Sequence, residues 1–313
     1  MNDHHMIEEP EHGHSLAEDL VLMHRLADRR RALKWFAGAG TAALVAGCGG
    51  SGSDTSGTVS VVSGGTTTAT PTPTPTATAT PTPTATPTPT STTACIADPT
   101  ETAGPYPADG TNTSNGSTSN ALTVSGIVRS DIRSSFISST TVATGVKVVL
   151  TLRVVNVNAT CASLAGYAVY LWHCDRTGNY SLYGTSTAAE SYLRGVQVTD
   201  ANGEVTFTTI FPAAYSGRYP HMHFEVFSSL ANATGGRFSV LTSQLAMPAT
   251  ACNAIFADTT TYPGSAIRFT QTAIGNDNVF GDNTAAQIAQ QTPTLTGDPT
   301  NGYTGTAIIG IAR

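Results

Sequence analysis

Charged side chains are scarce in this chain of 313 residues, in which Asp, Glu, Lys and Arg make up 12% of the sequence. Soluble domains usually carry about 25%. The formal net charge is −6, from 15 basic and 21 acidic residues. A surface that binds nucleic acid needs clustered Lys and Arg. Because the sequence contains no such basic patch, it argues against a nucleic-acid partner.

Long hydrophobic runs are also missing. The longest, residues 35–47, is shorter than the roughly 20 apolar residues of a transmembrane helix, which excludes a polytopic membrane protein. Three arginines, Arg29–Arg31, precede this run, and small residues lead into Cys48. This order resembles a bacterial lipoprotein signal with a twin-arginine (Tat) motif, although Ala32 stands where Phe is usual. A short buried helix in a cytosolic protein is the alternative interpretation.

The signal-like segment implies a location. We expect residues 1–47 to direct export and Cys48 to carry a lipid, so that the protein faces the periplasm or the cell exterior and touches the membrane only through that anchor. Residues 48–94 consist almost entirely of Gly, Ser, Thr, Ala and Pro. Such a composition predicts a disordered linker, and its proline-rich part predicts a semi-rigid spacer. The predicted folded domain is residues 95–313.

Short runs rich in Val, Ile, Thr and Tyr, each ended by Gly, Asn or Asp, follow one another from Ala121 onward. They cover residues 121–130, 146–157, 165–175, 194–200, 203–211 and 221–229. Polar and apolar residues alternate most clearly in two of them, and Asp200–Gly203 predicts a hairpin turn. Only Asn283–Gln291 suggests a helix. The sequence therefore predicts an all-β protein with a single β-sandwich over residues 95–313.

Histidine is rare in this predicted domain. Five of the eight histidines precede Cys48, which leaves His173, His221 and His223. On a strand, residues i and i+2 point to the same face about 6.6 Å apart, so a His-Met-His sequence can direct two imidazoles at one metal ion. We expect His173, beside Trp172, to have a structural or supporting role.

Three further blocks accompany the histidine pair. They are ETAGPYP at residues 101–107, LWHCDRTGNYS at 171–181 and IFPAAYSGRYP at 210–220. In this order, the blocks resemble the intradiol ring-cleavage dioxygenases, the family of catechol 1,2-dioxygenase and protocatechuate 3,4-dioxygenase. The similarity runs from about Pro99 to Gln244 and beyond, and it is greatest to the short exported branch that lacks an N-terminal helical domain.

The resemblance implies a non-haem Fe(III) ion, one per chain, and a set of residues that serve it. The four implied iron ligands are Tyr180, Tyr215, His221 and His223. Arg218 matches an arginine that stabilises negative charge developing on the bound substrate, and Gln244 matches a glutamine that lines the same pocket. Tyr106, in the first block, falls where the family approaches the substrate. The implied partners are a small aromatic diol and O₂.

These residue types make chemical sense for such a site. Two anionic phenolates with two neutral imidazoles form a hard, electron-rich set that holds Fe(III), and the charge of the ion lowers the pKa of the phenols. The implied reaction is the intradiol cleavage of a catechol by O₂ to a cis,cis-muconate-type diacid. The sequence departs from the family at Ala213-Ala214, where Pro-Gly or Gly-Pro is usual, and at Ala103, where an acidic residue is common. Both departures concern loop geometry and substrate fit, and neither removes a ligand.

Four cysteines lie in the domain: Cys95, Cys161, Cys174 and Cys252. In an exported protein an even number favours disulfides, here two, with three possible pairings left open. Free buried thiols are the alternative. If unpaired, the Cys174 thiolate is a candidate iron ligand.

Other functions fit parts of the same pattern. The domain could be a non-catalytic, exported β-sandwich that binds cell-wall polysaccharide or an aromatic polymer and keeps a vestigial metal site. The histidine pair could instead hold copper in a protein that oxidises catecholates. Singly, Tyr180 could pack on Trp172, Tyr215 could be a turn residue, and Arg218 could pair with a carboxylate such as Glu225.

Overall fold

Two β-sheets dominate the computed structural model, which describes residues 95–313. The predicted signal segment, the lipid site at Cys48 and the linker lie outside the described residues. The strands are β1 (Lys147–Asn156), β2 (Ala162–Ser163), β3 (Ala168–Trp172), β4 (Arg194–Val198), β5 (Glu204–Ile210), β6 (His221–Phe227), β7 (Leu241–Ala246), β8 (Thr294–Asp298) and β9 (Gly302–Ile311). The helices are α1 (Gly184–Thr187), α2 (Ala249–Phe256), α3 (Ser265–Gln271) and α4 (Ala285–Gln291). No helix in residues 95–313 is long and apolar enough to cross a membrane.

The first sheet is built around β1. This strand pairs antiparallel with β5 and β2 and parallel with β9, which in turn pairs with β8. Alternate residues of β1 point into the core: Val148, Leu150, Leu152 and Val154 are buried. This period of two is the one that the sequence predicts for a half-buried strand.

The second sheet carries the residues of interest. Its strands run in the order β4-β3-β6-β7, and every pairing is antiparallel. All seven residues of β6 are buried, which is why its sequence shows no clean alternation of polar and apolar residues. Side chains of both sheets meet in one core, as expected for two sheets packed face to face. The prediction of a mainly β, two-sheet fold is confirmed.

The turn at Asp200–Gly203 does not join a hairpin, so that prediction is wrong. The tight turn itself forms: Asp200 N donates to Glu204 O at 3.0 Å, and Gly203 has φ +76°. However, β4 before the turn pairs with β3, whereas β5 after it pairs with β1 in the other sheet. A local turn signal cannot distinguish a hairpin from a connection between sheets, because both need the same reversal of the chain.

Residues 121–130 are not a regular strand, contrary to the sequence prediction. Ala121–Thr123 form a 3₁₀ turn, in which the Asn120 side chain accepts a hydrogen bond from Leu122 N at 3.2 Å. Only an isolated bridge at Val128 pairs with the second sheet. The competing cap from Asn120 outweighs the β preference of the Val and Ile residues that follow.

One helix was expected and is present. In α4, Thr284 and Gln287 form a reciprocal capping box, which explains why the sequence signal was readable there. No local signal marks α2 and α3, whose first residues have no side-chain cap. Tertiary packing forms α2: it buries Cys252, Ile255 and Phe256.

The expectation of two disulfides is wrong. Cys95 is bonded to Cys161, but Cys174 and Cys252 are free and buried. Each thiol lies against a different main-chain carbonyl: Cys174 Sγ is 3.7 Å from Ala213 O, and Cys252 Sγ is 3.8 Å from Met247 O. The two thiols therefore behave as small apolar core residues.

Asp98 links the start of the domain to its last strand, and it gives the fold a pH dependence. Its Oδ2 accepts hydrogen bonds from Gly310 N at 2.6 Å and from Gln290 Nε2 at 2.9 Å. Burial nevertheless raises the pKa of this carboxyl to about 6. The stability due to this group is complete below pH 4, and it is lost as the pH rises through about 6.

We expect the free energy of unfolding to fall between pH 4 and pH 7 by a contribution of about 3 kcal/mol from Asp98. In Asp98→Asn this contribution is absent, because the side chain no longer ionises. Urea unfolding at pH 4, 5, 6 and 7 measures how the free energy of unfolding changes with pH in the wild type and in Asp98→Asn. Equal slopes in the wild type and the variant would contradict the assignment.

Candidate metal centre

Four polar side-chain atoms converge in the second sheet and its adjoining loops. Tyr180 Oη lies 3.1 Å from His223 Nε2 and 3.4 Å from Tyr215 Oη. His221 Nε2 lies 3.1 Å from both Tyr215 Oη and His223 Nε2, and 3.5 Å from Tyr180 Oη. Thus the four residues that the sequence analysis selects as ligands form one cluster, although they come from three separate segments of the chain.

The two histidines reach the cluster because they alternate on β6. His221 lies opposite Ala246 of β7, and His223 lies between Gln244 of β7 and Trp172 of β3. Residues two apart on a strand share a face, so both rings point to the same side of the sheet. The His-Met-His spacing is therefore sufficient to predict their proximity.

The two tyrosines come from loops that hold each other. The loop before Tyr180 is closed by Asp175, whose Oδ1 accepts from Thr177 N at 2.8 Å and Asn179 N at 3.1 Å. Ala213 N, in the loop before Tyr215, donates to Asp175 O at 3.3 Å. Ala213 and Ala214 are both buried, so the alanines that replace the usual Pro and Gly are accommodated without displacing Tyr215 from the cluster.

The spacing of the four atoms fits a metal ion. Ligands bound at about 2.0 Å in a tetrahedron lie about 3.3 Å apart, close to the 3.1–3.5 Å found here. His221 Nδ1 donates to Tyr219 O at 2.6 Å, which leaves the Nε2 lone pair directed into the cluster. Residues 95–313 contain no group of three or more His, Cys, Asp or Glu side chains that could hold a metal, so a metal here depends on the tyrosines.

Packing orients the second imidazole. The His223 ring is stacked on Trp172, with centroids 5.0 Å apart and an interplanar angle of 7°. Gly104 also lies against this ring, where a Cβ atom would come within 3.1 Å of His223 Cε1. Gly104 also has φ +72°, a conformation that favours glycine. A glycine in the ETAGPYP block therefore suits both the close approach to His223 and the backbone conformation.

Burial sets the protonation of the cluster. It raises the pKa of Tyr180 and of Tyr215 and lowers the pKa of His221 and of His223. Without a cation, both phenols keep their protons and both imidazoles are neutral. A multivalent cation reverses this for the phenols, because its charge stabilises phenolate oxygen. The donor set is therefore suited to bind a highly charged ion and release protons to solvent as it does so.

Arg218 lies beside the cluster, fully buried. Its Nη1 is 3.3 Å from His221 Nε2, and its Nη2 donates to Gln244 Oε1 at 2.7 Å. Its carboxylate partner is Asp277, with Nε to Oδ2 at 2.9 Å, and not Glu225. Asp277 lies outside the blocks that mark the site in the sequence, and no local motif identifies it.

The first block closes the site. Gln244 Nε2 donates to Thr102 O at 2.8 Å, which joins β7 to this block. The Tyr106 ring lies 4.9 Å from the Tyr180 ring, centroid to centroid. Tyr106 and Gln244 are therefore both adjacent to the cluster, as the resemblance implies.

Two residues near the cluster do not join it. His173 Nε2 lies 2.6 Å from Thr209 Oγ1 and its Nδ1 lies 2.8 Å from Cys174 O, so neither nitrogen is available to a metal. The structural role expected for His173 fits these contacts. Burial raises the pKa of the Cys174 thiol, which disfavours the thiolate that a metal would need.

Arg194, the first residue of β4, also belongs to the site's surroundings, and no local motif marks it. It is buried and donates to the carbonyl oxygens of Tyr106, Pro107 and Ser181. It therefore ties the first block to the loop that carries Tyr180.

Comparisons with known proteins cover this part of the chain. Residues 131–232 match a family model described as "Dioxygenase", a range that contains the four cluster residues and Arg218. Among solved structures, an intradiol ring-cleavage dioxygenase from Tetranychus urticae is 24% identical, with 70% of this chain and 95% of that chain covered and a TM-score of 0.48. The 3-chlorocatechol 1,2-dioxygenase from Rhodococcus opacus 1CP is 18% identical, with 69% and 72% covered and a TM-score of 0.42. No curated protein matches the chain. The match to the family model bears out the predicted resemblance at the level of a dioxygenase family.

Proposed function

We propose that this protein is an Fe(III)-dependent intradiol dioxygenase, which adds both atoms of O₂ to a catechol-type diol and opens its ring to a cis,cis-muconate-type diacid. The observation that carries the proposal is the convergence of two phenols and two imidazoles beside a buried arginine. This cluster lies inside the range that matches the dioxygenase family model.

Tyr180, Tyr215, His221 and His223 would hold the iron. The chemistry that bound iron would supply is activation of the catechol ring toward O₂. The phenols are the ligands that favour Fe(III), since they supply hard anionic oxygen, whereas the two-histidine, one-carboxylate set is typical of Fe(II) oxygenases. Tyr215 is only partly buried and Tyr180 is buried, so the substrate approaches from the Tyr215 side of the cluster.

The remaining residues act on the substrate. Arg218 places a fixed positive charge beside His221, where negative charge develops on the ring and its oxygens. One preorganised donor of this kind contributes about 3 kcal/mol to the transition state. Tyr106 forms an aromatic wall against Tyr180, which suits a flat substrate. Burial of the cluster excludes water and strengthens these interactions.

The proposal includes a location outside the cytoplasm, with the catalytic domain held on the Thr/Pro linker and a lipid at Cys48. The Cys95–Cys161 disulfide supports this location, because such bonds persist in oxidising compartments. A small neutral aromatic substrate is consistent with the low charge of the chain.

A colour test decides the metal chemistry. We expect the full chain, loaded with iron, to show a visible absorption band from charge transfer between tyrosinate and Fe(III). Tyr215→Phe and Tyr180→Phe should each shift or bleach that band. With a panel of catechols, O₂ uptake should match diacid formation mole for mole.

Three results would overturn the proposal. An iron-loaded protein without a visible band would remove the tyrosine ligands. Full occupancy by copper or zinc in purified protein that does not bind iron would favour a different metalloprotein. Binding of polysaccharide or aromatic polymer without any O₂ uptake would favour a binding module.

A further inference from the structure

Asp277 pairs with Arg218 from a distant part of the chain. It follows the 3₁₀ turn Ile274–Asn276, and its Oδ2 and Oδ1 accept from Arg218 Nε at 2.9 Å and Nη2 at 3.3 Å. The side chains of Arg218 and Asp277 are 1% and 0% exposed. This pair differs from Arg133–Asp131, whose side chains are 33% and 48% exposed and thus gain little from pairing.

The carboxylate of Asp277 is itself held rigidly. Its Oδ2 also accepts from Tyr219 N at 2.7 Å, and its Oδ1 accepts from Val279 N at 2.9 Å and Phe280 N at 3.1 Å. Three main-chain donors from two segments therefore fix both oxygens. A carboxylate fixed in this way can impose an orientation on the guanidinium that it binds.

The orientation matters because a guanidinium is a planar fork. Asp277 occupies Nε and one hydrogen of Nη2, and Gln244 Oε1 takes the other direction of Nη2 at 2.7 Å. The remaining nitrogen, Nη1, faces the cluster and lies 3.3 Å from His221 Nε2. The only edge of Arg218 that is left for a substrate is the edge that points at the metal centre.

We propose that Asp277 is a positioning residue for ring cleavage, which acts through Arg218 by fixing the edge of the guanidinium that meets the bound catecholate. This inference rests on the proposed function. The pair is neutral overall, so its effect comes from the direction of the Nη1 donors and not from added net charge. The hydrogen bonds that the Asp277 carboxylate accepts come from Arg218, Tyr219, Val279 and Phe280, and none of these is one of the four cluster residues.

The test is a double-mutant cycle read by binding as well as by turnover. The probe is 4-nitrocatechol, titrated without O₂ into the iron-loaded full chain and followed by absorbance. We expect Asp277→Asn to weaken its binding and to lower kcat with catechol, each by about 10- to 100-fold, the range known for supporting residues of metal sites. Iron content and the visible band of the resting protein should stay at the wild-type level.

The cycle separates positioning from a structural role. If Asp277 acts through Arg218, Arg218→Met and the Arg218→Met/Asp277→Asn double variant should bind 4-nitrocatechol equally weakly, because the second change has nothing left to disturb. Asp131→Asn is the matched control, and we expect wild-type binding from it. Asp277→Glu keeps the charge but moves it by one methylene. Its affinity for 4-nitrocatechol should lie between those of the wild type and Asp277→Asn.

Two results would overturn the proposal: an equal loss of binding from Asp277→Asn whether or not Arg218 is present, or loss of the iron band in Asp277→Asn. Should Asp277→Asn not fold, the comparison is made with Asp277→Glu, where wild-type binding would likewise refute the proposal. The proposed function fails separately, if the wild type itself shows no band or no O₂ uptake. The binding cycle then still reports on Asp277 and Arg218.

Discussion

Replacing His223 with glutamine is expected to lower the affinity for iron by more than about 100-fold and to abolish both the visible band and ring cleavage. Loss of a residue that only supports a metal ligand costs about 10- to 100-fold, and His223 is placed to be a ligand itself. Its Nε2 lies 3.1 Å from both Tyr180 Oη and His221 Nε2, so its removal opens one side of the cluster. Competition with a chelator, followed by iron analysis, measures the affinity.

The chain supplies a matched control at His173. This residue is equally buried and lies next to Trp172 in sequence, but its ring nitrogens contact Thr209 Oγ1 and Cys174 O. His173→Gln should therefore keep the iron affinity of the wild type even if it lowers the free energy of unfolding. Equal iron loss in both variants, or retention of iron by His223→Gln, would contradict the assignment of ligands.

Removal of the metal is an independent test of binding at the same site. A ligand that binds only the folded state stabilises it by an amount that grows with its concentration. We therefore expect chelation to lower the melting temperature of the wild type, and to leave that of His223→Gln unchanged. Differential scanning fluorimetry with and without the chelator would show it.

The predictable part of this site is the part encoded by short spacings. His221 and His223 are two residues apart on one strand, and strand geometry alone brings their rings together. The pairing of Arg218 was not predictable in this way. A carboxylate such as Glu225, seven residues along the chain, was a reasonable partner, yet the partner is Asp277, 59 residues away. Contacts at such separations are fixed by the way the loops pack, and one sequence carries no signal for them.

The same contrast between local patterns and long-range contacts applies to the fold. Strands such as Lys147–Asn156 and Glu204–Ile210 follow from alternation of apolar residues, because burial of one face is a local pattern. The sheet to which each strand belongs is not local, so the turn at Asp200–Gly203 predicted a hairpin where the chain passes between sheets. Two disulfides were favoured over free thiols at Cys174 and Cys252 for the same reason, since cysteine counts say nothing about distance.

Arg194 is expected to be the residue outside the cluster on which the site depends most. Arg194→Met should lower the free energy of unfolding by about 4 kcal/mol, since it leaves several buried oxygens without a donor. The guanidinium makes five hydrogen bonds of 2.8–3.1 Å, to the oxygens of Pro107, Tyr106, Ser181 and Tyr170. These contacts hold the ETAGPYP block, and with it Tyr106 and Gly104, against the loop of Tyr180.

The expected pattern distinguishes this role from that of a surface arginine. Arg153→Met removes an exposed arginine that bonds to Ser163 Oγ at 3.1 Å, and it should change the free energy of unfolding by no more than about 0.5 kcal/mol. Arg194→Lys keeps the charge but loses the planar, forked guanidinium. Its free energy of unfolding should lie between those of Arg194→Met and Arg153→Met. Urea unfolding of all three variants at one pH measures the differences. An Arg194→Met protein within about 1 kcal/mol of the wild type would show that the block is held by packing of Tyr106 on Tyr180 and Tyr183 instead.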